Sequence, residues 1–242
     1  MNAWGITDVG LRRHENQDAF AIDQGSHLIA VVCDGMGGAK GGRLASAIAV
    51  CTFVDGLREM LHEGMTPEQL AEASTRCVET ANAAVYARAV SDSNCSGMGT
   101  TLVSAVLYDG GAVICNVGDS RAYRITSTGI ERITRDHSVV ENLICKGELT
   151  PEEARTHPNR NIITRALGPE ASISCDVYDV ALGGDETLLL CSDGLVVTLR
   201  DEEMYETVRS SSAPQEALTR LVARACEHGA PDNVTAVLVK PQ

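Results

Sequence analysis

Two stretches of this chain, Leu28-Ile29-Ala30-Val31-Val32-Cys33 and Thr187-Leu188-Leu189-Leu190-Cys191, show no alternation of polar and apolar residues. Runs of this kind read as strands covered on both faces, which requires a layered architecture. Each run leads to an acid in a glycine-containing turn: Asp34 in Asp34-Gly35-Met36-Gly37-Gly38, and Asp193 in Ser192-Asp193-Gly194. A carboxylate at the end of a core strand is costly unless something compensates its charge. Asp18 in Asn16-Gln17-Asp18 and Asp232 in Asp232-Asn233-Val234 also stand at predicted junctions of strand and turn. Oxygen-rich ligation drawn from distant segments, largely free of His and Cys, suits Mg²⁺ or Mn²⁺ better than Zn²⁺.

Periodicity orders the rest of the chain. Short strands are predicted at Trp4 to Val9, Ala19 to Asp23 and Leu28 to Cys33. A helix with one buried face follows from Gly41 to Leu61, where Leu44, Ala45, Ile48, Ala49, Phe53, Leu57 and Leu61 recur at three- and four-residue spacing. Thr66-Pro67-Glu68-Gln69 carries the N-cap, first-turn proline and capping-box signals of a second helix, running to about Val90. Thr101 to Ile133 reads as an antiparallel meander, and short helices are predicted over Asp136 to Gly147 and Pro151 to Arg155. The polar segment to about Leu167 is a candidate flap. Strands at Ile173 to Val180, Thr187 to Cys191 and Thr235 to Val239, with helices at Asp201 to Ser210 and Gln215 to His228, complete an α+β layered fold.

The 242 residues are expected to form one domain spanning 1–242, with 44% hydrophobic residues to supply its core. A formal charge of −13 argues against a broad nucleic-acid or anionic-membrane surface. Nine scattered Cys without a C-x-x-C pair read as reduced thiols of a cytoplasmic protein. No stretch reaches the ~18 apolar residues of a membrane span, and Met1 to Asp8 lacks the pattern of an export signal. Nothing marks an oligomer interface, so a monomer is expected.

For chemistry, a two-ion site needs at least one carboxylate that bridges, and Asp34 is the candidate. Gly35, lacking a Cβ, could bring its carbonyl close to an ion. Asp193 and Asp232 would complete one shell with waters, and Asp18 would ligate or orient a water. Two ions roughly 3.5–4 Å apart acidify a water and stabilise in-line displacement at phosphorus. Arg13, five residues before Asp18, could grip two phosphate oxygens. Taken singly, each acid is an ordinary turn former and Arg13 a surface charge. The Gly35 to Gly42 stretch lacks the order of a Walker loop, and His137 and His157 have no partner at ligand spacing.

Eight motifs in order together resemble the metal-dependent protein phosphatases of the type 2C (PPM) family, in particular its compact bacterial members. They are Gly10 to Asp18, Val32 to Gly38, Gly97 to Thr101, Asn116-Val117-Gly118-Asp119-Ser120-Arg121, Asp136-His137-Ser138, Ile163 to Gly168, Cys191 to Leu195, and Asp232 to Thr235. The resemblance implies a four-layer α/β/β/α sandwich, with two antiparallel sheets flanked by helices and a small flap at about 136–167. It implies hydrolysis of phosphoserine and phosphothreonine by a water activated at a dinuclear Mn/Mg centre, opposing a serine/threonine kinase that is itself a plausible substrate. It assigns metal roles to Asp18, Asp34, Gly35, Asp193 and Asp232, substrate phosphate to Arg13, and a weaker third ion to Asp119 with Asp193. Gln17 replaces a Glu of many relatives, Met36 a His of animal relatives proposed as general acid, and Val197 a further acid of some relatives. Arg43 replaces a Glu common after the glycine turn. The alternatives are a hydrolase of small phosphoesters, a non-catalytic phosphoprotein-binding module, and a nuclease, which the charge of −13 disfavours.

Overall fold

The computed structural model describes residues 1–241, the side chains of Ala39 and Lys40 excepted. Three strands, β1 (Asn2–Asp8), β2 (Asp18–Gln24) and β3 (Leu28–Met36), precede a pair of long helices, α1 (Gly38–Met60) and α2 (Pro67–Ser91). Next come β4 (Gly99–Thr100), β5 (Leu102–Tyr108), β6 (Gly111–Val117), β7 (Arg121–Ile125) and β8 (Ile130–Arg132). Two short helices, α3 (Val139–Cys145) and α4 (Pro151–Thr156), lead to β9 (Asp176–Ala181) and β10 (Thr187–Cys191). Helices α5 (Asp193–Val196), α6 (Asp201–Ser210) and α7 (Pro214–Glu227) then lead to β11 (Val234–Lys240).

One antiparallel sheet has the order β1-β11-β10-β7-β8; the other has the order β2-β3-β5-β6-β9, with β4 added beside β3. Side chains along a strand alternate between faces, and the core divides on that rule. In β3, Ile29, Val31 and Cys33 pack with α1 and α2, among them the fully buried Phe53 and Leu57. Leu28, Ala30 and Val32 of the same strand meet Leu188, Leu190, Val237 and Val239 of the facing sheet. On the outer face of that sheet, Leu189, Cys191, Ala236 and Leu238 pack against Leu218 and Leu221 of α7. The result is the α/β/β/α order of layers, and the non-alternating runs are its two-faced central strands. Each fully buried large side chain contributes roughly 1.5–3 kcal/mol through burial. The capping box expected at Thr66 and Gln69 is present, as is one at Thr150 and Glu153.

Three details differ from expectation. Strand β3 does not end at Cys33; it continues through Asp34 to Met36, because β4 offers Gly99 and Thr100 as pairing partners. The meander is divided: β5 and β6 lie in one sheet, β7 and β8 in the other, and the chain crosses between sheets at Gly118-Asp119-Ser120. Gly118 makes the crossing with φ +104, where an added Cβ would collide with the Thr101 side chain. The one-turn helix α5, beginning at Asp193, was not expected. All nine Cys are free thiols, as expected; five are buried and Cys51 and Cys145 are exposed.

Candidate metal centre

Asp18 and Asp34 are directly opposite partners in the β2–β3 register. Strand parity points Asp34 the same way as Leu28, Ala30 and Val32, so both carboxylates face the space between the sheets where its apolar filling ends. The facing sheet meets them with hydroxyls. Oδ2 of Asp18 accepts from Ser192 Oγ and Thr235 Oγ1, each at 2.7 Å. The other oxygen, Oδ1, is buried without a partner, as is Oδ1 of Asp193.

Backbone contacts hold the acids in place. The Asp34 amide donates to Thr101 Oγ1 at 2.9 Å, and its carbonyl accepts from Thr100 Oγ1 and from the Thr101 amide, both at 2.9 Å. The Gly35 amide donates to the Gln17 carbonyl at 3.2 Å, and a Cβ on Gly35 would collide with the Gly42 backbone. Asp193 opens α5 immediately after β10, and Asp232 immediately precedes Asn233 and β11. Asn233, itself buried, accepts from the Gln17 amide at 2.8 Å and donates to the Val9 and Glu15 carbonyls at 2.9 and 3.1 Å. It fastens the loop carrying Arg13 to the loop carrying Asp232. Asp119 lies in the crossing turn. There the Gly118 amide donates to Nδ1 of buried His137 at 3.0 Å, while the His137 amide returns to the Gly118 carbonyl at 2.9 Å. This pattern places the ring proton of His137 on Nε2, 3.2 Å from Asp176.

The electrostatics are those of acids crowded out of water. Burial pushes Asp18 up to about 7 and Asp119 up to about 8, with Asp193 adding repulsion to both and two hydroxyl hydrogen bonds opposing the rise at Asp18. Asp34 is driven well above the usual carboxylate range by burial, then by Asp193, Asp18, Asp119 and Asp232. Asp193 rises through burial and through Asp232. Repulsion among buried carboxylates with unsatisfied oxygens is the state that a bound multivalent cation relieves.

Asp34, Gly35, Asp119, Asp193, Asp232 and Arg13 line one open cleft of about 650 Å³, with Asp18 set behind them. Met36 and Val197 line it too, as does the N-terminus of α1 at Gly37 and Gly38. Among the described residues no three His, Cys, Asp or Glu side chains stand close enough together to form an ion-holding group by themselves. The donor types that line the cleft, carboxylates and the Gly35 backbone, with orphaned carboxylate oxygens behind them, are those that hard divalent ions accept together with waters. Arg13 pairs with Asp232 Oδ2 at 2.6 Å. Arg43 pairs with Glu15 at 3.4 Å on the surface. Ser192, Thr235, Thr100, Thr101 and Asn233 lie within the motifs, but sequence reasoning gave them no role, because their contacts with the acids exist only once the sheets are stacked. Neither His is placed with the acids: His137 holds the crossing turn, and His157 Nδ1 accepts from the Asn159 amide.

Residues 12–240 match the family described as Protein phosphatase 2C. The chain is 36% identical over 242 residues to the serine/threonine phosphatase stp of Listeria monocytogenes, covering 99% of this chain and 96% of that protein. It superposes on the serine/threonine phosphatase Stp1 of Staphylococcus aureus with a TM-score of 0.91 at 36% identity, covering 99% and 94% of the two chains. It also superposes on the catalytic domain of the serine/threonine protein phosphatase PstP in complex with two manganese ions. That match has a TM-score of 0.85 at 29% identity, covering 99% and 97% of the chains.

Proposed function

The chain belongs to the protein phosphatase 2C family, and from that premise we propose that it hydrolyses phosphoserine and phosphothreonine in proteins at a dinuclear Mn²⁺ or Mg²⁺ centre. The observation that carries the reading is the convergence of Asp34, Asp119, Asp193 and Asp232, from four separate segments, on one cleft that also holds Arg13, with Asp18 close behind Asp34. Asp34 would be the carboxylate shared by the two ions, with the Gly35 carbonyl as a further donor; Asp193 and Asp232 would hold one ion, and Asp119 with Asp193 would hold a weaker third. When bound, the ions supply an acidified water and offset the negative charge of the phosphoryl group.

The protein's own groups do the rest. Asp18, fixed through Oδ2 by two hydroxyls, presents Oδ1 to orient a water at the cluster. Arg13, whose guanidinium lines the cleft and pairs with Asp232, would bind the substrate phosphate through its planar fork. Met36, at the wall of the cleft, has no proton to give, so protonation of the leaving alkoxide falls to water or another group. The open cleft and the charge of −13 favour a phosphoprotein over a nucleic acid. A serine/threonine kinase is the natural counterpart. Nine free thiols suit a reducing compartment, which favours a cytoplasmic location.

Phosphate release from a phosphothreonine peptide, measured in parallel with chelator, Mg²⁺ and Mn²⁺, tests the reading. Wild type should release phosphate only with metal, and Asp193→Ala should release none. No release from wild type with either ion would leave a phosphoprotein-binding module as the function.

A further inference from the structure

Asp18 belongs to a closed circuit of hydrogen bonds that runs from the acid cluster to the edge strand β1 and back. Thr235 Oγ1 spends its only proton on Asp18 Oδ2, at 2.7 Å. Its second contact, 2.7 Å to Thr7 Oγ1 directly opposite on β1, is therefore one in which Thr7 donates. Thr7 Oγ1 in turn accepts from Asn16 Nδ2 at 2.8 Å. The other end of that amide is fixed by the backbone: Asn16 Oδ1 accepts from the Asp18 amide at 3.1 Å, a contact only the carbonyl oxygen can make. We propose that Thr7 and Asn16 are positioning residues for the reaction, acting through Thr235 on the carboxylate of Asp18; the proposal rests on the phosphatase reading above.

The direction of the circuit gives it its effect, because each hydroxyl proton in it points toward Asp18 Oδ2. Ser192 adds a second donor to the same oxygen at 2.7 Å, and its own Oγ accepts from the Thr235 amide at 3.0 Å. Both hydroxyls are fully buried. Oδ1 of Asp18 receives nothing and is buried beside the acids, with Asp34 directly opposite in the strand register. One oxygen is thus anchored and the other is offered to the cluster, while Asn16 holds the backbone of the same residue. The sheet itself does not require the outer hydroxyl: Thr7 is exposed on an edge strand, where Val pairs through the backbone equally well. Without the Thr7 proton the Thr235 oxygen lacks a donor, and the polarisation that strengthens its bond to Asp18 is lost.

A double-mutant cycle on Thr7→Val and Thr235→Val, with Thr7→Ser as the conservative variant, tests this. The readouts are steady-state kinetics on a phosphothreonine peptide with Mn²⁺, calorimetric Mn²⁺ binding to the metal-free protein, and thermal melting. Thr7→Val should lower kcat about two- to tenfold, the value of one hydrogen bond. Peptide KM and melting temperature should stay at the wild-type values, and Mn²⁺ Kd should rise by a similar factor. Thr7→Ser should keep wild-type kcat and Kd. In the Thr235→Val background, Thr7→Val should change nothing further, because the two hydroxyls act one through the other. Asn16→Asp, which keeps the oxygen for the Asp18 amide and removes the donor to Thr7, should lower kcat as Thr7→Val does; wild-type kcat there removes Asn16 from the role. Unchanged kcat and Kd in Thr7→Val, equal losses in Thr7→Ser, or additive losses in the double variant overturn the proposal. If Thr235→Val folds poorly, the contrast between Thr7→Val and Thr7→Ser decides alone. Wild type that releases no phosphate with Mn²⁺ refutes the phosphatase reading itself, whereas an active wild type with unchanged variants refutes only the positioning roles.

Discussion

Arg13 and Asp232 form an ion pair at 2.6 Å, with side chains 53% and 30% exposed, so the contact is worth at most about 1 kcal/mol. Its weakness suits the proposed roles, since Asp232 is wanted by an ion and Arg13 by a phosphate. Asp232 stands first among the groups that raise the Arg13 pKa, so the guanidinium is charged throughout the working range. Arg13→Ala is expected to leave thermal stability nearly unchanged and to raise KM for a phosphothreonine peptide about tenfold or more, the value of one charge-assisted hydrogen bond. Hydrolysis of an activated aryl phosphate should suffer much less. Steady-state kinetics on both substrates check this, and an unchanged peptide KM would remove Arg13 from phosphate binding.

At the level of elements, the crossing from β6 to β7 carries Asp119 to the cluster, and three features shape it. Gly118 has a backbone conformation that side-chain-bearing residues avoid, Thr101 packs where a Cβ would go, and His137 exchanges two hydrogen bonds with it. Gly118→Ala should therefore destabilise the protein by at least about 1–2 kcal/mol from backbone strain alone. At roughly 2–4 °C per kcal/mol for a domain of this size, the loss is visible in a thermal melt. The variant should also displace Asp119, so the Mn²⁺ concentration needed for half-maximal phosphate release should rise. Wild-type melting and metal dependence together would show that the turn tolerates a side chain.

For the whole molecule, the raised carboxylates set the direction of the pH dependence. Groups whose pKa lies higher folded than unfolded contribute stability below the unfolded carboxylate value of ~3.9 and lose it as pH rises through the folded values. Those are about 7 for Asp18 and about 8 for Asp119, with Asp34 and Asp193 raised alongside. Surface carboxylates such as Glu153 and Glu203 are lowered and act in the opposite sense, in more acid solution. The metal-free protein should thus melt at a lower temperature at pH 8 than at pH 5. Mn²⁺ at ~100 times its Kd should restore about 2.7 kcal/mol at pH 8, or roughly 5–10 °C. Asp34→Asn should flatten the pH dependence of the metal-free form and reduce the gain from metal. Calorimetry with chelator and with Mn²⁺ decides; a metal-free melting temperature equal at the two pH values would contradict the account.

The layered architecture was legible in the chain because burial on two faces leaves its mark in the residues themselves. Leu28 to Cys33 and Thr187 to Cys191 lack polar alternation, and α1 and α2 each show a single apolar stripe or a capping box. Asp18, Asp34, Asp193 and Asp232 could be singled out because acids next to apolar strands need compensation. Tertiary structure alone decided which groups meet them. Ser192 and Thr235 lie 174 and 217 residues from the Asp18 they hold, and serine and threonine are too common in turns and strands to signal such a contact. The division of the predicted meander was likewise hidden, since a three-residue link within a sheet and one between sheets read alike until Gly118, Thr101 and His137 are packed together. Arg13 meets Asp232 because β1 and β11 pair side by side, bringing the loop after one beside the loop before the other. Local periodicity is set by covalent spacing and which face is buried; partnership across the sandwich is set by how the sheets stack, and no local pattern records that.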